Sequence, residues 1–388
     1  MSDRELHEKY IEGVKNKYGV DRVWSYSQVS SFDQDPYEWF LKYILKEPSD
    51  KISGNAYGIY GNMVHDIMED YYNGKIARED CCRVFEEKWD KLSLVGLKFN
   101  YTDEDSEIKL KTKYKKDLDN FFDTFQTIKS NNCWCEMPIP IKVGEEAFFG
   151  YIDFLDEYEE NGRKKYHIID YKTSTMYKGK AIEEHARQLL LYALGLLQKK
   201  ADCTYEDIDV GWNFLKYVTV KEEQKNGKVK ERYIERCELL SKLKTSIDKW
   251  LKEYGYAPDM YEMIASLDEL PLEVKNKFTI SDCIIRVPFT KESADMLIDE
   301  LSSKCRQLRK LMKEYEETHN EELFMWEPTQ SDEFWLYNLC SYTSNLHKPF
   351  ANYLKKKELI EQYYDETPWL EEASQKGDDL LNNFFDTL

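Results

Sequence analysis

Two stretches decide the fold: Phe149-Gly150-Tyr151-Ile152-Asp153-Phe154 and, one turn later, His167-Ile168-Ile169-Asp170-Tyr171-Lys172-Thr173. Both are short apolar runs of the kind that form strands, and each is expected to end in an acid. Between them stands Asn161-Gly162, a dipeptide suited to a tight hairpin turn, so the strands are expected to pair antiparallel. Side chains two apart in a strand share a face, which aims Asp170 and Lys172 the same way. Two acids from neighbouring strands beside a lysine form a hard-oxygen cation site with a fixed positive charge next to it. Phosphodiester hydrolysis needs such parts, an ion to neutralise phosphate and a cation near the developing charge. Carboxylates and water suit Mg2+ or Mn2+, and the sequence has no C-x-x-C pair to suggest zinc. Taken alone, Asp-x-Lys in a strand is more often an ion pair on a solvated edge strand than a catalytic pair.

Upstream, Tyr26-Ser27-Gln28-Val29-Ser30-Ser31-Phe32 reads as a helix entry with Ser27 as N-cap, followed by Pro36 and the aromatic run Tyr37, Trp39, Phe40 and Tyr43. A loop punctuated by Gly54, Gly58 and Gly61 leads into a helix over 62–72, where Met63, Ile67 and Tyr71 recur every four residues and His65 rides alongside. Residues 76–130 read as a helical insertion. Extended segments follow at 136–143, 147–155 and 166–172, then a helix over 180–200 that carries Gln188 and Tyr192 on one face. Beyond it, 210–220 and 283–287 read as strands, Asn226-Gly227 as a second hairpin turn, and 240–254 and 291–317 as helices. The expected architecture is α/β, a mixed central sheet flanked by helices, with a second insertion over 221–282 and a helical C-terminal region.

The 388 residues carry a net charge of -19, which argues against a protein that coats DNA indiscriminately. Screening limits such a field to about 8 Å at physiological salt, so a local basic groove remains workable. The candidates are Lys178 and Lys180, close behind the strand lysine, then the runs 109–116, 304–313 and 355–357. No apolar run is long enough to span a membrane and residues 1–17 are polar, so a cytoplasmic protein is expected. The nine cysteines are expected to be free thiols.

In order along the chain stand a helix bearing a histidine, Gly150-Tyr151-Ile152-Asp153, Asp170-Tyr171-Lys172-Thr173 and a helix with Gln188-x-x-x-Tyr192. This series resembles the RecB-like branch of the PD-(D/E)XK nucleases, which includes AddB-type recombination nucleases and the exonucleases of CRISPR adaptation. The resemblance covers roughly 25–342, and a single nuclease domain is expected over 20–345. It implies that His65, Asp153, Asp170 and the backbone carbonyl of Tyr171 bind the metal. By the same resemblance Lys172 orients or activates water and stabilises the pentavalent phosphorus, and Gln188 holds the site and contacts DNA with Tyr192 beside it. It also implies an exonuclease rather than a site-specific endonuclease, acting in recombination, repair or replication, and a phage genome is a fitting home. No phosphate loop of a helicase motor is present, so a recombinase, single-strand-binding protein, helicase or clamp would be a separate partner. A degenerate nuclease fold serving as a DNA- or protein-binding scaffold is the reading from another class. The intact acids and lysine speak against it.

Relatives with an iron-sulfur cluster place one cysteine before the early proline and three near the end. Here the early position is Asp35 and the late region keeps Cys340 alone. No cluster is therefore expected, and helical packing of the C-terminal segment is expected to take its place. The acidic tail 346–388, ending in Asp378-Asp379-Leu380-Leu381-Asn382-Asn383-Phe384-Phe385, offers a partner-docking motif or a frayed terminal helix.

Overall fold

The computed structural model describes residues 3–51, 56–99, 103–128, 132–257 and 259–366. Gly54 and the docking motif at 378–385 lie outside the described residues. By internal contacts the chain forms two compact units, Met1–Val29 with Ser53–Arg309, and Ser30–Ile52 with the chain from Lys310 onward.

The first unit is built on a seven-stranded mixed sheet: β1 (Val23–Trp24), β2 (Asn132–Val143), β3 (Glu146–Glu160), β4 (Arg163–Lys172), β5 (Ile208–Glu223), β6 (Val229–Glu235) and β7 (Phe278–Val287). Asn161 (φ 52°) and Gly162 (φ 76°) both take the left-handed conformation that a two-residue turn demands. That turn sets the antiparallel register of β3 and β4, which runs from Glu160 opposite Arg163 to Phe154 opposite Ile169. On its other side β4 pairs in parallel with β5, Asp170 alongside Trp212 and Lys172 alongside Phe214. β4 is thus an interior strand, and its acid and lysine are not an edge-strand ion pair.

Helices surround the sheet, and those used below are α1 (Asp3–Tyr18), α2 (Tyr26–Gln34), α3 (Ala56–Tyr72), α4 (Cys81–Leu94), α5 (Glu104–Thr124), α6 (Lys180–Lys199), α7 (Leu239–Glu253) and α8 (Lys291–Thr318). α3 buries Tyr60, Met63, Val64, Ile67 and Met68 in one core with Phe85 and Trp89 of α4, Phe121 and Phe122 of α5, and Phe154, Ile169 and Tyr171 of the sheet. The strand alternation that sends Ile169 and Tyr171 into this core sends Asp170 and Lys172 to the opposite face. α6 packs against β2, β4 and β5. The segment 221–282 supplies β6 and a smaller cluster of Leu243, Ile247, Trp250 and Val274 with Val218 and Val220 of β5.

Two expectations are corrected. Ser27 does not cap α2, because the helix starts at Tyr26 and Ser25 Oγ accepts the Gln28 N–H at 3.1 Å. Nor does β3 end at Asp153; it continues to Glu160, and what ends there is its pairing with β4.

The second unit centres on Asp35. Its carboxylate caps the turn that starts at Pro36, accepting from the N–H groups of Tyr37 (3.1 Å) and Glu38 (2.9 Å). It also accepts from the indoles of Trp326 (3.0 Å) and Trp335 (3.1 Å), and His347 Nε2 lies within 3.0 Å of both oxygens. His347 Nδ1 accepts the Phe350 N–H, so Nε2 carries the proton and donates to Asp35. Around this hub stack Phe40, Tyr315 and Phe324, and α9 (Lys348–Glu366) follows. The C-terminal segment is therefore fastened by a buried polar hub rather than by helical packing alone. All nine cysteines are free.

Candidate active site

Beyond Phe154 and Ile169 the strands β3 and β4 part, and the next residue on each is an acid, Asp153 and Asp170. The fork leaves ladder donors without strand partners. Asp153 Oδ2 takes up one of them, accepting the Tyr171 N–H at 3.2 Å. The side chain thereby does locally what a backbone carbonyl does elsewhere in the sheet. Asp170 is 4% exposed, and its Oδ2 lies 2.6 Å from Lys172 Nζ in an ion pair. That oxygen accepts no well-angled hydrogen bond among the described residues.

His65 reaches the fork from α3. Its Nε2 stands 2.8 Å from the Tyr171 carbonyl, which can only accept, so Nε2 bears the hydrogen. Burial, first, and then the Lys172 charge lower the pKa of the ring against the pull of Asp170, which favours the neutral form. Nδ1 then offers a lone pair toward Asp153 Oδ2, 3.5 Å away. Such opposed lone pairs are relieved by a proton held on Asp153 or by a cation bound to both groups. The resemblance assigns the Tyr171 carbonyl to the ion; here it accepts from His65, with a second lone pair remaining.

A further acid, Glu136, joins this group, and sequence reasoning missed it. Its carboxylate, the Asp153 carboxylate and a His65 ring nitrogen place ligand atoms within 4.8 Å of one another. In the β2–β3 ladder Glu136 falls between Cys135 and Met137, whose partners Phe154 and Ile152 flank Asp153. Its φ of 47° breaks the strand conformation at that point. Desolvation, then the charges of Glu69, Asp66 and Asp170, raise its pKa, although part of the residue faces solvent. Asp153 is raised well above the ordinary carboxylate range by burial, then by Asp170 and Glu136. An acid in a run of alternating residues looks like any solvated strand position, so only the pairing register reveals Glu136.

These residues fit a hard divalent ion: the Glu136 and Asp153 carboxylates and a neutral imidazole converge, Asp170 adds its charge from the neighbouring strand while pairing with Lys172, and the acids repel one another. Burial alone would discharge Lys172, but Asp170 and Asp153 outweigh it and hold the ammonium above the ordinary lysine range. Lys172 is thus a fixed cation. Gln188 Nε2 donates to the Tyr192 hydroxyl at 3.1 Å. Tyr192 lies over Gly150, where a Cβ would stand 2.7 Å from its ring, so the glycine of Gly-x-Ile-Asp is the clearance that lets α6 approach β3. Lys178 and Lys180 are exposed just beyond β4. In the run 109–116, Lys113 is engaged with Glu235 and Lys115 with Asp119.

A mixed sheet with two acids and a lysine where adjacent strands diverge defines a restriction-endonuclease-like nuclease fold. Residues 23–342 match the PD-(D/E)XK nuclease superfamily, and the chain belongs to it. It is similar to the RecB/AddB-like members: over 228 residues it is 26% identical to a subunit of the ATP-dependent helicase/deoxyribonuclease of Clostridium botulinum strain Loch Maree, and equally to the same protein from strain Hall. The match covers 50% of this chain and 19% of those proteins, so the chain corresponds to about a fifth of the length of these relatives. No helix among the described residues is long and apolar enough to cross a membrane.

Proposed function

We propose that the chain is a divalent-metal-dependent deoxyribonuclease, Mg2+ or Mn2+ serving as the ion, that degrades DNA from ends during recombination, repair or replication. The observation that supports this reading is the strand fork, where Asp153 and Asp170 stand at the parting of adjacent strands, Lys172 pairs with Asp170, and His65 and Glu136 gather at Asp153. His65, Glu136, Asp153, Asp170 and the Tyr171 carbonyl would hold the ion. When bound, such an ion neutralises phosphate charge and makes a water molecule acidic enough to attack at neutral pH.

The protein's own groups supply the rest. The Lys172 ammonium, kept charged by its acids, stabilises negative charge growing on the phosphate oxygens. By the resemblance to RecB-like nucleases Lys172 also orients or activates the attacking water. Tyr192, held by Gln188, fixes the wall of the site on the β3 side. Lys178 and Lys180 pair with backbone phosphates beyond the cut. Preference for ends is what the same resemblance implies, and the similarity to a subunit of a helicase/deoxyribonuclease makes a helicase the first partner to test.

Incubation with linear single-stranded, linear double-stranded and circular DNA, with and without Mg2+, tests the proposal. Ion-dependent loss of the linear forms with circles spared is expected. Cutting of circles would turn the reading to an endonuclease, and no cutting with Mg2+ or Mn2+ would leave a binding scaffold.

A further inference from the structure

Behind the catalytic strand the chain crosses 173–179 before entering α6, and this crossing carries an aromatic stack that the reaction has not used. The Tyr177 ring sits edge-on against both Trp212 and Phe214, centroids 5.2 Å apart in each case. Those two residues lie alongside Asp170 and Lys172 in the parallel β4–β5 register, and paired residues of parallel strands project from the same face. Tyr177 is thereby anchored on the face of the sheet that bears the acid and the lysine, one strand away. Its own outer face is covered by His185 from the first turns of α6, with ring centroids 3.9 Å apart and planes 16° from parallel. Trp212 and Phe214 are buried, whereas His185 is exposed.

This is a graded stack: two buried rings hold a half-buried tyrosine, which holds a flat imidazole at the surface. Partial burial, then the Lys172 charge, lowers the His185 pKa, which favours the neutral ring and leaves a π-face of ordinary polarity. Lys178 and Lys180, both exposed, precede it in the chain by seven and five residues. A flat ring beside cations and next to a phosphate-handling site is what a single nucleotide strand requires, because its bases offer free faces and its backbone offers charge. The bases of an intact duplex keep their faces stacked on one another.

We propose that His185, seated on Tyr177, is a stacking platform for a nucleobase adjoining the scissile phosphate, and that the strand admitted to the site is therefore unpaired. This deepens the nuclease reading and rests on it. The platform reads no sequence, since every base has a π-face, and it selects for single strands or frayed ends.

The test uses the full chain with Asp170→Asn to prevent cutting and oligonucleotides carrying 2-aminopurine near one end. His185→Ala is expected to weaken single-strand binding about tenfold and to relieve quenching of the fluorophore, with blunt-duplex binding altered less than about twofold. His185→Phe, which keeps a flat ring without the nitrogens, is expected to restore both. Equal losses in the Ala and Phe variants, equal losses on single strands and duplex, or an unchanged Ala variant would each overturn the platform. If the chain with Asp170 intact cuts DNA yet one of those results is found, the platform alone fails. If it neither cuts nor binds DNA, the nuclease reading fails and takes the platform with it.

Discussion

Asp153 and Asp35 are both largely buried acids that face a histidine, and both belong to groups whose potential ligand atoms lie within 4.8 Å of one another. They differ in how their charge is met. Asp35 receives five donors, from Tyr37, Glu38, Trp326, Trp335 and His347, and the proton of His347 points at it. Among the described residues Asp153 receives one, the Tyr171 N–H, faces the lone pair of its histidine and has two further acids close by. A carboxylate saturated with donors is finished as a structural element. One left short of donors among like charges is arranged for something that arrives later.

The largest expected effect sharpens this difference at the fork. Asp170→Ala and Lys172→Ala should each lower the cutting rate about 1000-fold or more; Asp170→Ala, which relieves repulsion at Asp153, should leave the thermal midpoint near that of the parent, whereas Lys172→Ala leaves a buried carboxylate unpaired and should lower it. A collapse in the melting temperature of Asp170→Ala would mean that the fork is a structural element after all. At the hub the reverse is expected. Asp35→Ala leaves buried indole and imidazole donors unmet and should cost roughly 3 kcal/mol or more of stability by denaturant unfolding.

Acid titrations of these variants have to be compared over a background set by His167. Burial, then the Arg286 charge, lowers its pKa to about 4 from the ordinary 6.5, and its Nε2 has no hydrogen-bond partner among the described residues. The unfolded chain therefore binds this proton first. Stability from this group is complete above pH 6.5 and falls as pH drops toward 4, by at most ~3 kcal/mol. His167→Phe should flatten that part of the stability profile; an unaltered slope would assign it to other groups.

Ion binding can break the comparison outright. Mg2+ or Mn2+ at about a hundred times its dissociation constant should stabilise the parent by ~3 kcal/mol, and Asp153→Asn should abolish the shift. Loss of the shift in Asp35→Asn, with retention in Asp153→Asn, would exchange the roles of the two acids. The smallest effect is expected for Gly150→Ala, whose Cβ would press on Tyr192. It should lower stability by about 1–3 kcal/mol and also slow cutting, because the displaced tyrosine faces the site.

The strand pair, its Asn161-Gly162 turn and the helix bearing Gln188 and Tyr192 were legible because each is specified by neighbours in sequence. So were Asp170 and Lys172 on one face, which follows from alternation alone. Glu136 was not, because its importance lies in the register of β2 on β3 and in one left-handed residue. The Tyr177–His185 stack depends on the path of a loop, which no periodicity encodes. Asp35 could be picked out as a missing cysteine, but three of its five donors come from residues some 300 positions later, and local sequence carries no information about such partners.

That separation has a kinetic side. Asp35 and His347 are 312 positions apart, so during synthesis the early carboxylate emerges long before its imidazole. At ordinary elongation rates the wait is roughly 15–60 s. Until then the aromatic run after Pro36 has no completed core to enter. The ribosome-bound chain must therefore keep this stretch shielded, and a product truncated before Trp326 would expose it permanently to proteolytic quality control.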